Sequence, residues 1–244
     1  MALISVRNLT FSYDGAEENI FENASFQLDT DWRLGLIGRN GRGKTTFLNL
    51  LLGKFEYRGT ISAPMAFDYF PFPVFDKAVI ASELAEELCP DCPRWKLLRE
   101  MGLLELDEGT LYRPFNTLSN GEQTKLLLCL LFLRDNRFLL IDEPTNHLDL
   151  HGREVLSRYL QTKKGFLIVS HDQSFLDRCI DHVLSINRAT IDVQKGTCST
   201  WLDAKRQQDE SELAQNRRLK KEISRLEQSA RESSQWKRSR QRVL

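Results

Sequence analysis

The apolar residues of the first 70 positions recur in short runs that predict strands. Residues 4–11 and 20–28 alternate partly between apolar and polar side chains, and residues 32–37 form an apolar run. This run leads into a glycine-rich turn and a helix-forming stretch at 44–52, and two more short strands are predicted at 59–63 and 66–70. A run of strands at the start of a chain favours an added antiparallel layer.

The next part of the chain alternates helical and strand patterns. Residues 76–106 follow a helical pattern with five positions expected to be buried: Leu84, Leu88, Leu97, Leu98 and Met101. A helix is predicted at 121–134, a strand at 138–141, a helix near 151–160, a strand at 166–169, a short helix after His171, and strands near 183–186 and 191–193. This alternation predicts an α/β fold with a parallel core and a helical insert.

The composition changes near residue 199. From Trp201 onward there is no glycine or proline, charge is dense, and apolar residues recur at heptad spacing: Leu219, Ile223, Leu226 and Ala230. Such spacing predicts a long helix that packs against a partner helix. We therefore expect a globular domain at 1–198 and, at 199–244, the first arm of a truncated helical linker. Because no second helix of this kind follows, the chain is expected to be a fragment of something longer.

The formal net charge is zero, but the charge is unevenly distributed. Residues 205–242 contain 12 Lys/Arg against 6 Asp/Glu, so the preceding 204 residues carry a net charge of −6. A basic extension on an acidic body favours contact with a polyanion, although a solvated helix that only needs to stay soluble would show the same charge.

The hydropathy pattern predicts neither a membrane span nor a signal peptide. The longest apolar run, residues 126–133, is flanked by Lys125 and Arg134 and is far shorter than the roughly 20 residues that a spanning helix needs. The amino terminus lacks the layout of a signal peptide. The expected compartment is the cytoplasm.

The glycine-rich turn carries the first candidate chemistry. Gly38, Gly43, Lys44 and Thr45 match the pattern G-x-x-x-x-G-K-S/T, with an apolar strand before it and a helix after it. Glycines let backbone N–H groups surround a phosphate, and the helix amino terminus adds its positive dipole end. Lys44 can contact the β- and γ-phosphates, and the Thr45 hydroxyl can ligate Mg²⁺. The predicted nucleotide loop comprises Gly38, Arg39, Asn40, Gly41, Arg42, Gly43, Lys44, Thr45 and Thr46.

Polar residues follow two of the predicted core strands. The strand at 138–141 ends in Asp142 and Glu143, and the strand at 166–169 is followed by Ser170 and His171. Buried parallel strands present their carboxyl ends to the ligand crevice. There Asp142 can hold Mg²⁺ through water, Glu143 can act as a general base, and His171 can sense a γ-phosphate. The alternatives are that the acids cap the next helix and that the histidine is structural.

Taken in this order, these pieces resemble the ABC ATPase superfamily over residues 1 to about 198. The distinguishing string looks like the signature motif: Leu118, Ser119, Asn120, Gly121, Glu122 and Gln123. The resemblance implies that two domains sandwich two ATPs, each signature contacting the γ-phosphate held by the other domain. It further implies that Tyr13 stacks on adenine, that Glu143 is the catalytic base and His171 the switch histidine. The loop touching the opposite domain would be Asn146, His147, Leu148 and Asp149.

Within the superfamily, the chain resembles the ABC-F group, soluble proteins with two ATPase domains in one chain. The string D-E-P-T-N-H-L-D at 142–149 is typical of that group, as is a charged helix leaving the first domain. The resemblance implies action on ribosomes through a helical hairpin, of which residues 201–244 would be the first arm. The implied rRNA or tRNA contacts are Arg231, Lys237, Arg238, Arg240 and Arg242. The motifs look closest to the antibiotic-resistance branch, which dislodges lincosamides, streptogramins and pleuromutilins.

Two positions depart from the family pattern. Phe72 stands near where the family has a glutamine, and phenylalanine can neither ligate magnesium nor position water. Either the site is altered or the alignment slips there. Asn120 replaces the common glycine of the signature, and because asparagine tolerates left-handed backbone we expect this change to be benign.

Three functions remain open at this stage. The first is a translation-associated ATPase, in antibiotic ribosomal protection or in translation regulation. The second is the ATPase subunit of an ABC membrane transporter. The third is a binding module that holds ATP and hydrolyses it slowly, because the opposite domain is absent. The expected partner is a second ABC domain, which would come from a missing half of the chain or from a second copy in a homodimer.

Overall fold

The computed structural model describes residues 2–16, 18–38, 41, 43–187, 191–211, 215, 217 and 219–221. The chain divides into two units, residues 1–199 and 200–244. The strands are β1 (Leu3–Phe11), β2 (Phe21–Asp29), β3 (Arg33–Ile37), β4 (Arg58–Ser62), β5 (Ala66–Phe70), β6 (Arg137–Asp142), β7 (Phe166–Val169), β8 (His182–Ile186) and β9 (Ile191–Lys195). The helices are α1 (Lys44–Leu51), α2 (Ala81–Leu88), α3 (Arg94–Leu103), α4 (Asn120–Leu133), α5 (Leu150–Gln161) and α6 (Gln173–Cys179).

The first strands form an antiparallel sheet in the order β2-β1-β4. Ile4 and Val6 of β1 are buried at alternate positions, as the pleat requires when one face meets the core. The pairing with β2 shifts register between Val6 and Leu9, and Asn8 lies there with a positive φ of 50°. The irregularity lets Leu9 and Phe11 return to the buried face.

The second sheet has the order β5-β6-β7-β3-β8-β9, with parallel pairing except between β8 and β9. Leu34 of β3, Leu140 of β6 and Leu167 of β7 are completely buried. The mixed sheet and the antiparallel layer confirm the predicted α/β fold. Because β3, β6 and β7 are neighbouring parallel strands, their carboxyl ends meet at one edge, where the loops carry the candidate residues.

The helical insert differs from the prediction in two respects. The stretch at 76–106 is two helices, α2 and α3, because Pro90 and Pro93 interrupt it. Leu84, Leu88 and Met101 are buried as predicted, but Leu97 and Leu98 are only half-buried. Glu100 takes a buried place and forms an ion pair with Lys163, which a purely apolar pattern does not reveal.

Residues 198–211 are helical, and Leu219 is exposed over 56% of its surface. The other members of the predicted stripe, Ile223, Leu226 and Ala230, lie outside the described residues, as do Arg231, Lys237, Arg238, Arg240 and Arg242. Among the residues that the structure does describe, no helix is both long and apolar enough to cross a bilayer.

Candidate nucleotide-binding site

A cleft of about 430 Å³ opens at the carboxyl ends of β3, β6 and β7. It brings together residues that lie far apart in the sequence. Its walls are Tyr13, Ile20, Gly41, Gly43, Lys44, Thr45, Thr46, Asp142, Glu143, Val169 and His171. Arg39, Asn40 and Arg42 of the predicted loop lie outside the described residues. The cleft thus joins the glycine-rich loop, the two acids and the histidine.

The conformation of Gly43 explains why the loop needs glycine at this position. Gly43 has a φ of +93°, and a Cβ there would lie 2.6 Å from Ile20 Cγ2 and 3.1 Å from Phe21 Cζ. L-residues rarely adopt such a φ, and Phe21 is completely buried. The glycine lets the loop close against β2 immediately before α1 begins, so that the amino terminus of α1 faces the cleft.

Two polar side chains of the loop, those of Lys44 and Thr46, have partners within the domain. Lys44 Nζ donates to the Gly38 carbonyl oxygen over 2.8 Å. The Tyr13 and Thr46 hydroxyls lie 2.9 Å apart and share a hydrogen bond. The Tyr13 ring meets Phe11 edge-on at a centroid distance of 5.1 Å, yet 45% of the residue stays exposed. Tyr13 therefore presents an aromatic surface beside the loop.

Asp142 lies at the tip of β6 and is held by a residue of the neighbouring strand. The Tyr69 hydroxyl, on β5, donates to Asp142 Oδ2 over 3.1 Å. Burial raises the pKa of Asp142, and the Tyr69 hydrogen bond and the charges of Lys44 and His171 oppose that rise. Burial and the adjacent Asp142 carboxylate both raise the pKa of Tyr69, so the phenol stays a donor.

Glu143 is held in an uncommon backbone conformation, with φ at +49°. Its N–H donates to the Val169 carbonyl over 2.9 Å, which extends the pairing of β6 with β7 by one residue. Burial raises the pKa of the Glu143 carboxyl, and His171 opposes the rise. The His171 N–H donates to Glu143 Oε2 over 3.4 Å, and His171 Nε2 lies 3.4 Å from Oε1. Oε1 is buried and accepts no hydrogen bond from the described residues.

The donor set suits Mg²⁺ bound to a nucleotide. Magnesium prefers oxygen ligands and is usually held by one or two protein groups together with phosphate oxygens and water. The Thr45 hydroxyl and the Asp142 carboxylate lie in the walls of the same cleft, next to Lys44. No cluster of three or more His, Cys, Asp or Glu suited to a metal occurs in the described ranges. The side chains of the cleft therefore suit a Mg²⁺ ion that is also bound by the phosphates of a nucleotide.

A second cleft, of about 460 Å³, contains much of the predicted signature and of the predicted dimer loop. Its walls include Ser119, Asn120, Gly121 and Glu122 together with His147, Leu148 and Asp149. Within the described part of the chain, no residue lines both this cleft and the first one. The signature therefore faces a different space from the loop that precedes α1.

The amino terminus of α4 is closed by a capping box. The Ser119 hydroxyl accepts from the Glu122 N–H over 3.2 Å, and Glu122 Oε2 accepts from the Ser119 N–H over 2.7 Å. The hydrogen bond from the Ser119 N–H to the carboxylate lowers the pKa of Glu122. Asn120 is the first residue of α4 and is not among the residues with positive φ. Asn120 therefore does not use the tolerance of asparagine for left-handed backbone, and the expectation that this change is benign stays a prediction.

Several predicted residues line neither cleft. Leu118 is buried, and Gln123 Nε2 donates to the carbonyl oxygens of Phe115 and Leu118. Asn146 lies at a turn with its N–H directed at the Glu143 carbonyl oxygen, 3.4 Å away. Phe72 is half-buried and lies outside both sets of walls.

Three residues of the site were missed by the sequence analysis, and one of them is Val169, whose carbonyl oxygen accepts from the Glu143 N–H. Ile20 packs against the glycine loop, and Tyr69 holds Asp142. Tyr69 lies near the end of β5, and the adjacent parallel strand ends in Asp142, so both tips meet at the same edge. The sequence carries no signal for this pairing of β5 with β6.

The fold and the site define the class of the protein. A glycine loop between a buried strand and a helix, with acids at the tip of a neighbouring strand, is the arrangement of a P-loop nucleotide-binding domain. The family model described as "ABC transporter" matches residues 21–146, which is more than half of the chain. The protein belongs to this family of ATPase domains, whose members hydrolyse ATP.

Similar proteins include members of the F family of ABC proteins. The chain is 33% identical over 197 residues to the ribosome protection protein VmlR of Bacillus subtilis, an alignment covering 78% of this chain and 35% of the relative. It is 31% identical over 202 residues to ABC transporter F family member 3 of Arabidopsis thaliana, covering 80% of this chain and 28% of the relative. The chain thus spans about a third of the length of these relatives.

Two solved structures show the same fold. The ATP-binding subunit of an ABC transporter superposes with a TM-score of 0.68 at 24% identity, covering 84% of this chain and 92% of that one. A bacterial Atm1-family ABC exporter with ATP bound gives a TM-score of 0.68 at 16% identity, covering 84% of this chain and 40% of that one. At these identities the likeness concerns the fold alone.

Proposed function

We propose that this domain binds ATP with Mg²⁺ and hydrolyses it as one half of a two-domain assembly. The observation that carries the proposal is the meeting of a cation, two acids and a histidine from three different strand tips in one cleft. Lys44 offsets phosphate charge, and the amino terminus of α1 adds backbone N–H donors. Thr45 and Asp142 hold the metal, which neutralises charge on the β- and γ-phosphates when it is bound.

Glu143 is the proposed general base. Its carboxylate is half-buried and lies in the wall of the same cleft as Asp142, where it would accept a proton from an attacking water. A raised pKa brings a carboxyl closer to the operating pH, which favours proton transfer in the transition state. His171 lies next to this carboxylate, and in this proposal it contacts the γ-phosphate and orients Glu143.

The separate positions of the two clefts support a partner domain. The signature residues Ser119 and Gly121 line a cleft that the phosphate loop does not enter. In this proposal they serve a nucleotide held by another domain, as the family resemblance implies. His147 and Asp149 line the same cleft and would contact that partner. The partner is a second ABC domain, within a longer chain or as a second copy.

Calorimetry with ATP and single substitutions tests the nucleotide site. Lys44→Ala removes a charge-assisted contact, so we expect ATP affinity to fall on the order of 10- to 100-fold. Lys164→Ala, which changes an exposed lysine away from the cleft, is the matched control. Equal ATP affinity in wild type and Lys44→Ala would exclude the proposed phosphate contact.

Glu143→Gln separates binding from chemistry. We expect ATP affinity to be retained and hydrolysis to fall roughly 10²- to 10⁴-fold, the usual contribution of a general base. The control is Glu154→Gln, an exposed glutamate of α5. Wild-type turnover should rise more than linearly with protein concentration, because each complete site needs two domains. Unchanged hydrolysis in Glu143→Gln would remove Glu143 from its role.

We further propose that the domain belongs to an ABC-F protein acting on the ribosome, in antibiotic ribosomal protection or translation regulation. Its support is the string at 142–149, the basic composition of 205–242 and the identity to a ribosome protection protein and to F family members. Arg231, Lys237, Arg238, Arg240 and Arg242 would contact rRNA or tRNA phosphates, which places the protein in the cytoplasm. The likeness to transporter subunits favours a second candidate, the ATPase subunit of a membrane transporter.

Sedimentation of the protein from cell extracts distinguishes the two. The Glu143→Gln variant is used with ATP, so that hydrolysis is slow. We expect this variant to pellet with ribosomes through a sucrose cushion and to be released from them by raised salt. Replacing the five arm cations by glutamine should abolish pelleting and leave ATP affinity unchanged. Recovery in the membrane fraction instead would favour the transporter function.

A further inference from the structure

Tyr69 links the carboxyl ends of two neighbouring strands, β5 and β6, next to the nucleotide cleft. It lies on β5, where its backbone pairs with Leu140 of β6, two residues before Asp142. Its hydroxyl donates to Asp142 Oδ2 over 3.1 Å. Tyr69 is absent from the walls of the cleft, whereas Asp142 is part of them. The phenol therefore reaches the site only through the carboxylate.

The ring of Tyr69 is itself held in place. It is half-buried, and the Lys54 ammonium lies 5.2 Å from its centroid. A cation at that distance over an aromatic face is attracted by the ring quadrupole. Tyr69 packs against the core cluster beside the antiparallel layer. Because the Tyr69 ring is held in place, its hydroxyl can hold the Asp142 carboxylate in one orientation.

We propose that Tyr69 is a positioning residue that sets the orientation of the Asp142 carboxylate for magnesium. The inference rests on the proposed ATPase function. The last torsion of an aspartate is broad, so an unrestrained carboxylate samples many orientations. A hydrogen bond to Oδ2 restricts that rotation and leaves Oδ1 for the metal or its water. Hydrogen bonds from such outer groups to a metal ligand typically contribute 10- to 100-fold in metal affinity.

The sequence around Tyr69 strengthens this assignment. The segment after β5 carries Phe72, which has no polar atom on its side chain. Among the described residues of β5 and of the segment that follows it, through residue 80, Tyr69 alone forms a side-chain hydrogen bond to Asp142 or Glu143. The polar contribution of this strand to the metal site therefore comes from a phenol acting through Asp142.

Tyr69→Phe tests the proposal, because it removes the hydroxyl and keeps the ring. ATP affinity is measured by calorimetry with Mg²⁺ and again with EDTA. We expect the enhancement of ATP affinity by Mg²⁺ to fall by about 10- to 100-fold in Tyr69→Phe, with ATP affinity in EDTA within twofold of wild type. The matched control is Tyr57→Phe: Tyr57 packs against the same core, and no hydrogen bond of its hydroxyl occurs within the described residues. This control should leave both affinities unchanged.

A double substitution shows whether the effect passes through the carboxylate. In a chain that already carries Asp142→Asn, adding Tyr69→Phe should not change the enhancement of ATP affinity by Mg²⁺ any further. An enhancement equal to that of wild type in Tyr69→Phe would overturn the inference. An equal loss of ATP affinity with Mg²⁺ and with EDTA would also overturn it, since that pattern indicates a structural role. If wild type itself binds no ATP, the proposed function fails first.

Discussion

Replacing Gly43 by alanine tests the reason for the glycine in the nucleotide loop. The new Cβ would lie 2.6 Å from Ile20 Cγ2 and 3.1 Å from Phe21 Cζ, at a φ of +93°. Phe21 is completely buried and meets Phe47 of α1 at a centroid distance of 6.0 Å, so it has little room to retreat. The substitution therefore combines backbone strain with overpacking.

The two costs can be separated with a second glycine. Gly53 also has a positive φ, +68°, but a Cβ there would meet nothing within 4 Å. Gly53→Ala should lower the free energy of unfolding by about 1–2 kcal/mol, the cost of left-handed backbone for an L-residue. Gly43→Ala carries at least that cost and about 1–3 kcal/mol of overpacking, so we expect a total loss of about 2–5 kcal/mol.

Urea denaturation followed by circular dichroism measures both losses, and calorimetry measures ATP affinity. Gly43→Ala should shift the midpoint without changing the slope, and should weaken ATP binding because the loop cannot close against β2. Gly53→Ala should leave ATP affinity unchanged. If the two variants lose equal stability and bind ATP equally well, the close approach at Gly43 is not what the loop requires.

Two further predictions concern other charged groups. Lys163→Met leaves Glu100 buried without its ion-pair partner, so we expect the free energy of unfolding, measured by urea denaturation, to fall by about 3–5 kcal/mol. The double substitution Glu100→Met with Lys163→Met should recover most of that loss. If the losses of the two single variants simply add in the double variant, the pairing is contradicted. Glu122→Gln tests the capping box. Hydrogen bonds lower the pKa of Glu122 in the folded state, so the ionised carboxylate stabilises the fold. This stabilisation is complete above the ordinary glutamate pKa of 4.5 and is lost as the pH falls through the lowered pKa. The difference in unfolding free energy between wild type and Glu122→Gln should therefore shrink between pH 7 and pH 3, while a constant difference would refute the cause.

Most strands and helices could be predicted because their apolar patterns are local. The strand at 166–169 was predicted at its observed bounds, and α4 lies within one residue of its prediction. The nucleotide loop was visible because its glycines and Lys44 are adjacent in the chain. The division into α2 and α3 was missed because helical periodicity on both sides of Pro90 and Pro93 outweighed the two prolines.

The contacts that organise the site could not be predicted, because they join distant positions. The Tyr69 hydrogen bond to Asp142 spans 73 residues, and it depends on β5 and β6 being neighbours in the sheet. The clash that requires glycine at 43 depends on Ile20, a residue of another layer. The common cleft of the signature and the loop at 147–149 follows from the close approach of Gly121, at the start of α4, to His147 and Leu148.

The separation of the two clefts determines where the effect of a defect would appear in the proposed assembly. A domain altered at Ser119 would keep an intact phosphate loop and hold its own nucleotide normally. The slowed hydrolysis would occur at the nucleotide bound by its unaltered neighbour. In a pair of one altered and one normal domain, the lesion and the stalled ATP would thus reside in different domains, and single-turnover kinetics would show one fast and one slow phase of equal amplitude.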